Sequence, residues 1–251
     1  MTKAYNYDII HKPIKRLYAC KSAFMLNTMA NMALASTLFL SPASVSVYEN
    51  AGQAGELVVN TQKTLASEYL DLDYRYPVET TSQGFKSNIL TSLYYFSRIE
   101  AGDSEKDNPN AENDVPKLFS IKLNPGEVLA FQDNIPEEYT KYTVKTQKSY
   151  YRASEGYNLT AGLWGNGVCH LATLMNWVAT EAGLQVNAPT RHDFAKIPGT
   201  DPKYGTSIST RSPKVQNLYI KNNQGFPVEF KFMILGNMLN LSITASPEYV
   251  Y

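Results

Sequence analysis

The chain has 251 residues with 23 basic and 23 acidic side chains, and this balance gives no electrostatic reason to expect nucleic acid or an anionic membrane surface as a partner. Charged residues make up only 18% of the chain and tyrosine occurs 18 times. That composition suits a β-rich globular chain better than a disordered one, and the length is compatible with one large domain or a domain plus a small N-terminal unit.

The first residues are polar and carry Lys3, Lys12, Lys15, Arg16 and Lys21; an uncharged, largely apolar run follows from Ala23 to Leu40, then the small residues Ser41-Pro42-Ala43. Residues 1–43 read as a signal peptide or an uncleaved N-terminal membrane anchor. Asn27, Thr28, Asn31 and Ser36 weaken a permanent span, and an ordinary amphipathic helix is the alternative. The expected location is extracytoplasmic, secreted or anchored, with membrane contact only through this segment. Cys20 precedes the apolar run, so it does not sit as a lipoprotein acylation site would, and a disulfide to Cys169 across the export segment is not expected. Residues 44–61 read as a linker and 62–251 as a single domain.

Within that domain, Leu70, Leu72, Tyr74 and Tyr76 alternate at period two and predict a strand over Leu65 to Tyr76. The spacing of Ile89, Leu90, Leu93, Tyr94 and Phe96 within Phe85 to Ile99 leans helical. Glu100 to Pro116 is acidic but lacks the alternate oxygens and central glycine of an EF-hand, and reads as a solvated loop. Leu118 to Ile121 and Val128 to Phe131 read as short strands joined through the turn residues Asn124-Pro125-Gly126. Tyr139 to Tyr157 holds Tyr139, Tyr142, Tyr150, Tyr151 and Tyr157. These fit strand propensity and core packing, or a rim on which sugar rings stack.

The centre of the sequence is Gly162-Leu163-Trp164-Gly165-Asn166-Gly167-Val168-Cys169-His170 and the helix that follows it. Leu171, Leu174, Met175, Val178 and Ala182 form one apolar helical face, and Gly183 ends it. At roughly 100° per residue, Cys169 falls opposite that stripe with Thr173, Asn176 and Thr180. It sits in the first turn, where free N–H groups and the helix dipole favour a thiolate. Further on, Gln216 to Asn222, Pro227 to Leu235 and Leu239 to Ala245 read as strands, with a hairpin turn at Gly236-Asn237. The fold class is α+β, a mixed or mainly antiparallel sheet packed on the helix after Cys169.

Gly165-Asn166-Gly167-Val168-Cys169-His170-Leu171-Ala172-Thr173-Leu174-Met175-Asn176, with Ala182-Gly183-Leu184, resembles the VanW-like signature Gly-Gly-Gly-Val-Cys-Gln-x-Ser-Thr-x-Leu-Tyr-Asn, then Ala-Gly-Leu. Leu123-Asn124-Pro125-Gly126-Glu127-Val128-Leu129-Ala130-Phe131 is similar to that family's Leu-x-Pro-Gly-Glu-x-Phe-Ser-Phe. Leu218 to Asn223 and Phe226-Pro227-Val228 are similar to its Leu-x-Phe-x-Asn-Asn and Tyr-Pro-Ile. The likeness covers about 119–246. His170 stands where the family usually has Gln, and His192-Asp193 where it has His-Ser. The resemblance implies a cell-envelope protein of a family linked in some members to vancomycin resistance.

For chemistry, Cys169, His192 and Asp201 are the candidate catalytic set: a thiolate needs an imidazole or helix N-terminus beside it and a third group to orient the ring. N–H groups near Gly167 to Cys169 could hold an oxyanion. Trp164, Gly165, Asn166, Gly167, His170 and Asn176 are the candidate substrate-binding residues. This supports a cysteine-dependent acyl transferase or hydrolase acting on cell-wall peptide or glycopeptide. The alternative is a non-enzymatic cell-wall or glycan-binding module in which Cys169 packs. His192 and Asp201 also fit simple loop and turn roles. A metal site of Cys169, His170, His192 and Asp201 would require adjacent helical residues to converge on one ion, so no metal and no cofactor is expected.

Overall fold

A computed structural model describes residues 62–98, 110–147 and 149–245. The expected export segment, Cys20, the linker and most of the acidic loop lie outside the described residues. Strand β1, Lys63–Asp71, leads through a turn to helix α1, Glu79–Arg98. One helical turn, α2 (Ala111–Asp114), precedes β2 (Leu118–Leu123) and β3 (Val128–Ala130). A second helical turn, α3 (Glu137–Thr140), and β4 (Thr143–Lys145) follow, then the two-residue strands β5 (Leu159–Thr160) and β6 (Leu163–Trp164). Helix α4, Val168–Glu181, is succeeded by β7 (Gln185–Asn187), β8 (Tyr219–Lys221), β9 (Val228–Leu235) and β10 (Met238–Ala245).

The long strands form one antiparallel sheet in the order β1-β10-β9-β2, and the short ones a mixed sheet in the order β4-β3-β8-β7. This is the expected α+β arrangement, with α4 packed against β1, β10 and β7 and against α1. Alternation explains the first sheet. Val228, Phe230, Phe232 and Ile234 of β9, and Leu239, Leu241 and Ile243 of β10, all point into the core. Gly236 takes a positive φ of 58° in the tight turn between them, where a residue without Cβ is the least strained. In α4, Leu171, Leu174, Met175 and Val178 have no exposed surface, as the stripe predicts. Among the described residues no helix is long and apolar enough to cross a membrane.

Two expectations are corrected. The first strand stops at Asp71 because the Asp71 carboxylate accepts the Asp73 amide at 3.0 Å, turning the chain; Tyr74 and Tyr76 lie beyond it and are exposed. Helix α1 begins at Glu79, six residues before its apolar stripe, because its first turns are polar and leave no periodic signal. The strands flanking Asn124-Pro125-Gly126 do not pair with each other: β2 joins one sheet and β3 the other.

The turn between them is a joint. The Glu127 carboxylate accepts the Asn124 amide at 2.7 Å, the Gly126 amide donates to the Asn222 carbonyl, and the Asn222 amide to the Glu127 carbonyl. The fully buried Asn222 side chain then donates to the carbonyls of Leu123 and Phe226, both at 2.9 Å. Buried amides left unpaired would be costly, and this arrangement pairs them all. Two of the sequence motifs thus meet to bind the sheets together.

Candidate functional site

The glycine-rich turn is held from below by α1. Asn88, fully buried, donates its side-chain amide to the carbonyls of Asn166 (2.8 Å) and Asn158 (3.2 Å) and accepts the Asn158 amide at 2.7 Å. Gly167 has φ of 109°, and a Cβ there would lie 2.5 Å from the Phe85 carbonyl oxygen. The turn can approach α1 only because that atom is missing. Asn166 donates to the Thr160 carbonyl at 2.7 Å, closing the β5–β6 hairpin that carries Trp164 outward. Asn88 was not singled out in the sequence; its signal is an amide in the apolar run of α1.

The polar face of α4 is where the geometry departs most from expectation. It is covered by the extended segment 204–208. The Ile208 amide points at the Cys169 sulfur at 3.4 Å, and the Thr206 amide donates to Thr173 Oγ1 at 3.1 Å. Asn176 Nδ2 donates to the Tyr204 carbonyl (2.9 Å) and Thr206 Oγ1 (3.1 Å), while its oxygen accepts from Thr180. The side chains opposite the apolar stripe therefore form a ladder for a second backbone, and Cys169 is its top rung. Asn176 is spent on this ladder and does not line the cleft beside it.

That cleft, of about 650 Å³, opens in front of the glycine-rich turn. Trp164, Gly165, Asn166, Gly167, His170, Cys169 and His192 all border it; Asp201 does not. Cys169 is half-buried on its wall. Desolvation by burial pushes its thiol up to about 11, with the Ile208 backbone pulling the other way. Part of the residue still meets the cleft, so the upward direction, set by the low-dielectric wall behind the sulfur, is what matters for its chemistry. The thiol is protonated at neutral pH.

His192 is not hydrogen-bonded to Cys169. Its Nδ1 lies 3.1 Å from the Ala195 carbonyl and its ring 4.0 Å from that of Phe194; burial lowers its pKa. Asp201 instead caps the turn Pro202–Tyr204, accepting the Lys203 amide at 3.0 Å and pairing with the Lys203 ammonium at 3.3 Å. These Lys203 contacts hold its carboxyl below the usual range. The orienting group for the imidazole is thus the Ala195 carbonyl, not Asp201. His170 is buried, its ring edge-on to Phe85 at 5.3 Å. Its Nδ1 has no partner, and burial, with Arg75 nearby, pushes its pKa down to about 3. Among the described residues no three His, Cys, Asp or Glu side chains gather as metal ligands.

Four aromatic rings rim the cleft and stay exposed: Tyr76, Tyr150, Trp164 and Phe194. Tyr151 and Tyr157, from the same tyrosine-rich segment as Tyr150, are buried and bonded to Gln132, Gln147 and Ser92. That segment therefore splits between rim and core. Nothing in the sequence marks Tyr76, which reads there as part of a strand, or Phe194 for the rim, because rings from distant loops meet only in the folded chain.

A family model described as VanW like protein matches residues 107–244, more than half of the chain. No curated protein and no solved structure matches.

Proposed function

This chain belongs to the VanW-like family, and on that premise we propose that it is a cell-envelope protein whose cleft binds a cell-wall peptide or glycopeptide without reacting with it. The observation that carries the reading is the rim of four exposed rings around one open cleft beside the glycine-rich turn. Ring faces stack on the apolar faces of sugars, and glycine backbone leaves room and amides for polar groups. The basic, then apolar, N-terminal segment supports an extracytoplasmic place. The test is calorimetric titration of the folded chain with soluble disaccharide–peptide wall fragments. Saturable binding is expected, weakened about tenfold by Trp164→Ala or Phe194→Ala, on the order of one stacking contact each. No heat of binding at millimolar fragment sinks the reading.

A second reading rests on Cys169, His170 and His192 sharing the same cleft. In it, Cys169 is the nucleophile of an acyl transfer or hydrolysis, His192 takes its proton, and the Ile208 amide, 3.4 Å from the sulfur, favours the thiolate. Loss of fragment turnover in Cys169→Ala with the fold intact supports it. Equal turnover, or none in either protein, removes it.

A further inference from the structure

The chain as a whole is charge-balanced, but its cleft is not. Among the described residues, its charged lining side chains are Arg75, Arg152, Lys196 and Arg211, with no Asp or Glu. None of the four forms an ion pair among the described residues. Charges of one sign lining a cleft attract the opposite sign, and here all four charged side chains are cationic.

Arg75 is the residue that needs explaining. It is 3% exposed, and its Nε donates to the Asp71 carbonyl at 2.6 Å. That bond and its own amide's bond to Ser82 Oγ, at 2.8 Å, fix the side chain at the start of α1. Among the described residues Nη1 is buried without an acceptor, and Nη2 makes no hydrogen bond. A buried guanidinium with its fork unused is costly unless something completes it. Cys169, in the first turn of α4, also borders the cleft, and helix N-termini add to the attraction for an anion.

We propose that the cleft is a carboxylate-recognition site, in which the Arg75 fork receives a carboxylate of the bound peptide or glycopeptide while Arg152, Lys196 and Arg211 draw it in. This rests on the binding function proposed above and adds the chemical class of the group recognised. Arg75 lies outside the span matched to the family, so the likeness itself does not assign it. The planar fork suits a two-oxygen acceptor, and charge-assisted pairs of this kind are the strong ones.

The experiment titrates the full chain with a soluble disaccharide–peptide fragment and with the same fragment fully amidated at its carboxyls. Amidation is expected to weaken binding about ten- to hundred-fold, the value of hydrogen bonds to a charged group. Arg75→Gln should erase the preference, and the exposed-site variant Arg211→Gln should reduce it partly. If Arg75→Gln does not fold, the comparison of the two fragments on the unaltered chain decides alone. Equal affinity for both fragments overturns the carboxylate assignment and leaves the binding function standing. If neither fragment binds, the binding function fails, and acetate alone, followed through the Arg75 Nε resonance, tests the anion site. A saturable shift with acetate upholds it, whereas no shift, or a shift with inorganic phosphate only, overturns it.

Discussion

Thiol labelling of Cys169 tests the site most directly, and its magnitude can be worked out. With the thiol at about 11, roughly one molecule in 3,000 carries a thiolate near pH 7.5, against about one in ten for a free cysteine of pKa ~8.5. That is roughly 300-fold less reactive form. The rarer thiolate is intrinsically more nucleophilic, by about tenfold over this interval at a Brønsted slope of ~0.45. The net expectation is labelling about 30-fold slower than a cysteine in a flexible peptide, before any slowing by the wall that half-covers the residue. The assay is iodoacetamide labelling of folded Cys20→Ser protein, so that Cys169 alone reports, across pH 6 to 11. The rate should climb through pH 10 without the plateau that a peptide thiol reaches near its own pKa. Labelling as fast as the peptide, with an apparent pKa at or below ~8.5, would refute the desolvation argument and restore Cys169 as a primed nucleophile.

Three further outcomes follow from the geometry. Gly167→Ala puts a Cβ 2.5 Å from the Phe85 carbonyl at φ 109°, so it should cost about 3 kcal/mol or more by backbone strain and displacement; a loss under ~1 kcal/mol in urea melts contradicts the close approach. Thr173→Val leaves the Thr206 amide buried without its acceptor and should cost about 1–3 kcal/mol, with faster hydrogen exchange at Thr206 as the specific readout. His170 is neutral when folded because its pKa is lowered to about 3 from 6.5. Below pH 6.5 the unfolded chain therefore binds a proton that the folded chain refuses, and stability falls by up to about 1.4 kcal/mol per pH unit until pH nears 3. His192, shifted the same way, adds to the fall. Comparing urea midpoints at pH 7 and 5, His170→Gln should show a shallower drop than the parent, and identical drops would remove His170 as the cause.

Much of this protein was decided by local sequence. The stripe from Leu171 to Val178 and the alternation from Val228 to Phe232 record burial along single elements, and each element buries those residues. The glycine-rich turn declared itself because a positive φ and a close approach to Phe85 admit little else at Gly167. Cys169 and His192 do come to one cleft, as residues matched to motifs of the family.

The tertiary structure decided the rest, because periodicity states that a face is buried or polar, not what lies against it. The polar face of α4 carries Cys169 and Asn176, both candidates for the site, but segment 204–208 occupies it, taking Thr173 and Asn176 as ladder partners and holding the sulfur of Cys169. Asp201 is the expected group to orient the His192 ring, yet its carboxylate is satisfied by Lys203 in its own turn. Most of all, a net charge of zero concealed a sorted distribution. Arg75, Arg152, Lys196 and Arg211 come from four separate segments, and only the packing of those segments around one opening gives the cleft its single sign. Sums over a sequence discard position, and electrostatic attraction depends on it.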